Sequence, residues 1–555
     1  MTSIRDTIKK FYSELIMFAI LFLFFFQALS DLVETVYGFA LLNLEPDENI
    51  LGLVFLITPV VLLFFRKRLP DKILVILGEL MILSRLLDPL LKRQGILVTS
   101  GLAVGCFLVF FPIYLTRMKN EEKRTSTTLG LSLAIAVTLS ILLRSLNSSV
   151  DISMYSWYQV IGWIFGIIAG IMLFGMMFRS EEQKEIHEEI KESSKGSGFG
   201  KILALTSGLV SVFIIIWFTF ASPTVISRWT EGNYIGITLG IIGVLSLFVI
   251  GQMLKPDLLS KLKTWMLWVW NGVFAMSLFL TVLVHQLSFP DDSALYPIVA
   301  PHTAWYYHIP LAIMILLSPI IYVDFMLLTR EIIKIKPSTR KMGGSFALAG
   351  SLYIIVMIFV QILPNIWGYL EPISTGFRDK YWLAFFLPGL ILTLSILLIK
   401  KSSFDLGKLY VNKRRNISAI VLLSTIFLGT LVGTLVTKPH PNYTPDGELV
   451  IMTFNIQQGR NVSGDRNFDG QIALIKQIDP DILGLQECDP TRISGGNLDV
   501  VRYFAEKLNM YSYYGPNTVT NTYGCAILSK FPISNAMSFF MFSDEEQIGS
   551  AQAEV

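Results

Sequence analysis

The sequence predicts a polytopic α-helical membrane protein that continues into a small α/β domain, and three observations predict it. Of 555 residues, 53% are hydrophobic and only 16% charged, a balance outside that of ordinary soluble domains. The apolar residues gather in runs of about 16 to 23, the length of a helix that crosses a bilayer. After residue 447 these runs give way to short apolar strands alternating with amphipathic helices.

About thirteen runs are expected as spans: residues 13 to 33, 50 to 65, 73 to 91, 96 to 116, 127 to 143, 156 to 178, 202 to 221, 235 to 254, 265 to 287, 309 to 328, 345 to 363, 381 to 399 and 417 to 436. The first follows Arg5, Lys9 and Lys10 and is followed by Asp31 and Glu34 rather than by a small-residue cleavage site, so it reads as a retained signal anchor. The expected organisation is a first membrane block over 1–178 with about six helices, a charged cytoplasmic loop over 179–201, and a second block over 202–436 with about seven. A linker over 437–447 and a C-terminal domain over 448–555 complete it.

With a cytoplasmic N-terminus, the inner segments hold about thirty Lys and Arg and the opposite loops about six. The inner set includes Arg66 to Lys72, Arg117 to Arg124, Arg330 to Lys341 and Lys400 to Arg415. An odd number of spans then puts everything after Val436 on the lumenal or extracellular side. That means the endoplasmic reticulum or Golgi in a eukaryote and the cell membrane in a prokaryote. Ser494 is expected to be reachable from that side.

Three stretches interrupt the apolar rhythm. Arg179 to Lys201 mixes charges and ends in Gly and Ser, as a solvated helix followed by a flexible connector would. The outer loop from His285 to His308 carries Asp291, Asp292, His302 and the aromatic run Trp305, Tyr306, Tyr307. Its histidines and carboxylates suit a metal or a lipid headgroup, and its aromatics are ordinary interfacial anchors. Glu79, Arg85 and Asp88 lie in or near the third run; ionisable groups there are costly, and Arg85 and Asp88, three apart, can pair on one helix face inside the bundle.

In the linker, Thr437 to Gly447, prolines preclude regular structure. Residues 449–456 read as a buried strand that delivers Asn455 to its carboxyl end. An amphipathic helix over 468–478 follows, with Phe468, Ile472, Ile475 and Ile478 at helical spacing. Pro480 ends it, and strand 482–486 delivers Glu487 in the same way. A helix over 499–508, strands at 511–514 and 525–529, and a further strand opened by Pro532 and Ile533 complete the pattern. A carboxylate and an amide closing adjacent strands suit a hard, oxygen-seeking cation such as Mg2+ facing a phosphate.

From Asp446 onward there are seven Lys and Arg against fourteen Asp and Glu. Such an acidic domain lacks the basic footprint that binds a nucleic-acid backbone, which argues against a nuclease and for no nucleic-acid partner. Of three cysteines, Cys106 falls inside a run, while Cys488 and Cys525 either pair or remain two buried thiols. Asn442 and Asn461 each precede a Thr or Ser by two residues and are glycan acceptors in a eukaryotic secretory pathway.

The segments Phe454-Asn455-Ile456 with Gly459, Leu485-Gln486-Glu487, and Gly524 to Ile533, in this order and spacing, resemble the endonuclease/exonuclease/phosphatase superfamily with its DNase I-like fold. Gly470 to Asp489 and Gly495 to Pro516, joined to a long multi-span region, resemble the calcofluor-white-hypersensitivity family, membrane proteins that remodel the lipid moiety of GPI anchors. The resemblance implies a two-sheet α/β sandwich and a Mg2+-dependent phosphodiesterase acting on a membrane lipid or GPI-type phosphodiester at the bilayer. It implies that Glu487 is the metal-binding carboxylate and that Asn455 is the strand-end amide near the phosphate and the metal-bound water. The later motifs of the superfamily have no counterpart before Val555, and no histidine follows His440. The expectation is therefore a truncated domain with an incomplete Mg2+ site, nearly inactive, and with an open sheet edge prone to aggregation. Two alternatives stand beside it: a non-catalytic lipid-handling or scaffold protein, and a phosphodiesterase of the sphingomyelinase or inositol-phosphate kind.

Overall fold

The computed structural model describes residues 4–41, 46–65, 69–118, 121–184, 198–362, 372, 376–399, 413–442, 447–488, 491–516, 524–543 and 548–555. Most of the charged loop 179–201, parts of the basic segments 66–72, 117–124 and 400–415, and residues 443–446 of the linker, with Thr444 of the first glycan motif, lie outside the described residues.

The helical region comprises α1 (Ile4–Leu41), α2 (Pro46–Leu56), α3 (Asp71–Leu87), α4 (Arg93–Arg117), α5 (Glu122–Ser145), α6 (Val160–Lys184), α7 (Phe199–Ile215), the short α8 (Pro223–Thr230), α9 (Tyr234–Leu254) and α10 (Thr264–Leu283). A two-residue strand, β1 (Ile298–Val299), precedes α11 (Ile309–Leu317), α12 (Pro319–Ile335), α13 (Thr339–Phe346), α14 (Tyr353–Ile362), α15 (Leu383–Leu397) and α16 (Lys413–Val436). Among the described residues, nine helices are long and apolar enough to cross a membrane, or ten if α11 and α12, bent by 42°, form one span. The expected thirteen is not reached. Run 50–65 breaks at Ile57, where α2 gives way to a 3-10 turn containing Pro59, and α3 and α15 are only 17 and 15 residues long.

α1 is the axis of the bundle. Lipid tails are as apolar as side chains, so helices in a membrane gain by close packing rather than by escaping water. The run Phe18 to Phe26 supplies that packing: Phe25 stacks on Phe107 of α4 with ring centres 4.1 Å apart, and Phe22 meets Phe213 of α7 and Phe325 of α12 at 5.8 Å. Each such pair contributes about 0.5–1.5 kcal/mol beyond its buried area.

Ion pairs mark one end of the bundle. Lys10 and Glu14 at the start of α1 bind Glu121 and Arg124 around the start of α5. Asp71, opening α3, binds Arg117, closing α4, and Lys201 near the start of α7 binds Glu331 near the end of α12. At the other end the C-terminal domain docks on the close of α1, the opening of α4, the close of α5 and the opening of α9. The N-terminus and the C-terminal domain therefore lie at opposite ends.

The charged set of α3 turns to other helices. Arg85 donates to Gln27 of α1 at 2.7 Å and to the Ser153 hydroxyl at 2.8 Å, while Asp88 accepts from Thr99 of α4. The Arg85 guanidinium thus gives these hydrogen bonds to Gln27 and Ser153, while Asp88, the helical C-cap of α3, acts on it through its charge. Glu79 is half-buried on α3, against Gly170 of α6.

The C-terminal domain contains β2 (Ile451–Asn455), α17 (Phe468–Ile478), β3 (Ile482–Gln486), α18 (Val500–Leu508), β4 (Tyr511–Gly515), β5 (Cys525–Ser529), β6 (Ser534–Met541) and β7 (Ile548–Glu554). The first sheet runs β2-β3-β5-β4, with β2 and β3 parallel and the other neighbours antiparallel. Leu483, Leu485, Ala526 and Leu528 cover α17 and α18 through Ile472, Ile475, Val501 and Phe504. β2 is an edge strand rather than a buried one, and Ile451 is 67% exposed on its open face. The second sheet runs β1-β6-β7. Its β1 comes from the loop between α10 and α11, with Ile298 opposite Phe540 and Val299 opposite Phe539. One edge of β6 is thus paired by a strand from the membrane region, one way that proteins protect sheet edges, while β2, β4 and β7 still end their sheets.

The domain is clasped to the bundle. Glu34 on α1 receives Arg460 at 3.5 Å and Arg466, whose Nε lies 3.1 Å from its carboxylate. Asp499 caps α18 by accepting from the Arg502 amide at 2.9 Å, and the same carboxylate holds Arg228 of α8 through two hydrogen bonds. The segment between them enters the bundle: Ile493 is 1% exposed and joins the helical core, and Asn497 donates to the Trp217 carbonyl at 2.9 Å. Ser494, expected to be reachable, is 4% exposed, because a loop rich in Gly and small polar residues fits between helix ends as readily as it faces water.

Two outcomes follow. Val462, 97% exposed, is the accessible reporter of sidedness. Val462→Cys, in a chain whose own cysteines are replaced, should be labelled by an impermeant maleimide in sealed cells, and Ser494→Cys should stay protected; labelling of Val462→Cys only after permeabilisation would reverse the orientation read from the charges. Glu34→Ala strands buried Arg460 and should cost about 3–5 kcal/mol. Thermal unfolding in detergent and proteolytic release of the C-terminal domain read that loss, and unchanged profiles would show that Glu34 does not hold the domain.

Candidate functional site

The parallel pairing of β2 and β3 sets Asn455 opposite Gln486, so Glu487 is the first residue beyond the neighbouring strand. The Asn455 amide donates to a Glu487 carboxylate oxygen at 2.8 Å, with Asn455 exposed and Glu487 half-buried. The structure thus brings the two sequence-derived site residues together at the carboxyl ends of adjacent strands. The Asn455 carbonyl oxygen accepts from the Gln457 amide at 2.9 Å, which fixes the direction of its amide nitrogen.

The backbone around the pair is bent into the left-handed region. Gln457, Gln458 and Glu487 have φ of 48°, 55° and 50°, each costing about 1–3 kcal/mol unless the surroundings hold it. They are held from two sides. The Gln458 amide donates to the Glu487 carbonyl at 2.9 Å, and buried Gln471 on α17 donates to the carbonyls of Ile456 and Arg460 at 2.9 and 3.2 Å. Gly459, φ 74°, has no room for a side chain, since a Cβ would lie 2.0 Å from the Phe468 ring. Sequence reasoning missed Gln457, Gln458 and Gln471; the Gln-Gln-Gly run after the strand was the available signal. The side-chain Nε2 of Gln458 is buried without a hydrogen-bond partner.

Among the described residues, no group of three or more His, Cys, Asp or Glu side chains is arranged to hold a metal ion. The pair offers one carboxylate and one amide, which fits Mg2+ only in the manner of ions that keep several waters and take their remaining ligands from a phosphate. The outer loop does not add to this set. Asp291 binds Arg378, Asp292 caps the turn Ser293–Leu295, and His302 is exposed. His285 and His308 lie together, ring centres 5.9 Å apart.

Cys106, Cys488 and Cys525 are thiols rather than disulfides. Burial pushes the Cys525 thiol up to about 11. Because only the thiolate reacts, alkylation of Cys525 in the folded protein should be slow at pH 8 and still climbing through pH 10, where an ordinary thiol of pKa about 8.5 has levelled off. After denaturation all three thiols should titrate; a count of one would mean that Cys488 and Cys525 are bridged.

Residues 448–554 match the family model described as the PGAP2IP C-terminal nuclease-like domain. A stretch of 77 residues is 35% identical to Protein cwh43 of Schizosaccharomyces pombe, covering 14% of this chain and 8% of that protein. Residues 448–554 thus form a nuclease-like domain similar to that of PGAP2IP, joined to a helical membrane bundle, and both matches support the calcofluor-white-hypersensitivity family that the motifs suggested.

Proposed function

We propose that this chain is a membrane lipid-handling protein of the GPI-remodelling kind, whose nuclease-like domain presents a Mg2+-assisted phosphodiester site to headgroups at the face of the bundle. One observation carries the reading: both loops that leave the site residues run directly into the membrane region. Five residues after Asn455, Arg460 binds Glu34 of α1, and six residues after Glu487, Ile493 is buried in the helical core. A site so anchored lies close to where lipid phosphodiesters sit, and the acidic character of the domain fits a small headgroup better than a nucleic-acid backbone.

Glu487 is the residue that would hold Mg2+, with Asn455 orienting its carboxylate and offering an amide N–H to a phosphate oxygen; the ion, when bound, supplies charge stabilisation to the phosphodiester. The left-handed loop 457–459 keeps the two strand ends from drifting apart. No histidine follows His440, so residues 441–555 hold no imidazole base to activate water. The reading therefore commits to headgroup binding by this chain, with turnover dependent on a base from elsewhere. The non-catalytic alternative shares that binding step, and the mutual hydrogen bond between Asn455 and Glu487 favours it where no ion competes.

The test uses the full chain in nanodiscs with a water-soluble glycerophosphodiester headgroup as the probe. Binding should require Mg2+ and weaken at least about 10-fold in Glu487→Gln, as loss of a metal-binding group does. Headgroup release should stay at background. Mg2+-independent binding would remove the metal from the reading, and hydrolysis at an ordinary enzymatic rate of about 1–10³ per second would show that a base is already in place.

A further inference from the structure

His285 stands two residues beyond the end of α10 and is 8% exposed. Its Nδ1 lies 2.8 Å from the Thr281 carbonyl oxygen. A carbonyl can only accept, so Nδ1 carries the proton and Nε2 is the lone-pair nitrogen. That Nε2 is buried with no hydrogen-bond partner. His308, at the opening of α11, places Nε2 3.0 Å from the Thr230 carbonyl oxygen, so Nε2 is the donor there and Nδ1 is the nitrogen left for a ligand. The two rings are 5.9 Å apart with planes at 65°.

Two imidazoles, each turned so that one ring nitrogen donates to a backbone carbonyl and the other is left for a ligand, have the outer-shell arrangement of metal-binding histidines. Imidazoles that share one Zn2+ at about 2.0–2.1 Å per nitrogen bring their ring centres to roughly 5–6 Å. We propose that His285 and His308 form a two-imidazole site for a borderline transition-metal ion such as Zn2+, independent of the oxygen-ligand site at Glu487. Nitrogen ligands suit Zn2+, Cu2+ or Ni2+ and not Mg2+ or Ca2+. Among the described residues no third His, Cys, Asp or Glu completes the shell, so the other positions of the ion would fall to water admitted with it.

The location gives the ion a structural consequence. His285 starts the segment that continues through Phe289, whose ring meets Phe540 of β6 at 4.9 Å, to β1 on the second sheet. His308 ends that segment. An ion held by both would tie the two ends of the loop whose strand completes the C-terminal domain.

The experiment uses the full chain, purified through a histidine-free tag, stripped with chelator and returned to nanodiscs. Zn2+ titrated against a colorimetric chelator should bind at one equivalent per chain. His285→Asn and His308→Asn should each weaken it at least about 10-fold, and His302→Asn should not. Cu2+ in the unmutated protein should show electron paramagnetic resonance splitting from two imidazole nitrogens, a readout that does not depend on any variant folding. Absence of stoichiometric Zn2+ binding, its persistence in the double variant, or a Cu2+ spectrum without two nitrogen ligands would overturn the site.

Discussion

The carboxylate of Glu34 is the constraint on which the architecture rests. It stands near the carboxyl end of the most buried helix, and from the C-terminal domain it takes two guanidinium groups, Arg460 and Arg466. Charges removed from water are tolerated only when paired and hydrogen-bonded, so this cluster fixes where the domain sits and in which orientation. Arg460 also donates to the Gly464 carbonyl at 2.9 Å, which closes the loop that follows Asn455. The same contact that seats the domain therefore shapes the wall of the candidate site.

A second clasp, built on Asp499, works by the same economy of groups. One carboxylate caps a helix and holds Arg228 of the bundle, while Arg502, one turn on, lies over the Tyr234 ring at 3.8 Å. Between the two clasps, residues 491–499 fill the space among the helix ends. The loop from the membrane region returns the exchange by giving β1 to the second sheet. The nuclease-like domain and the bundle consequently share strands, core and ion pairs, and neither has a complete surface alone.

The proposed function rests on that sharing. The proposed phosphodiester site, on a freely tethered domain, would sample solvent as often as the bilayer. Here both site loops end on the bundle within a few residues, so Asn455 and Glu487 hold a fixed relation to the membrane face. Strained backbone at Gln457, Gln458 and Glu487 persists because Gln471 below and the clasp at Glu34 over-determine it.

The sequence by itself determined the class of the protein, the helical character of its apolar runs, and the α/β elements of the C-terminal domain: helix 468–478 and strands 482–486 and 525–529 were legible to the residue, because periodicity and turn residues are local properties. It also determined that Asn455 and Glu487 close neighbouring strands, since each ends an apolar run. Tertiary structure decided the rest. Whether Ser494 faces water or helices, which groups Arg85 donates to, and which strand pairs with β6 all depend on which distant segment arrives there. The helices within 50–65 and 73–91 end at turns that contain Pro59 and Pro89, a backbone effect that a count of apolar residues does not register.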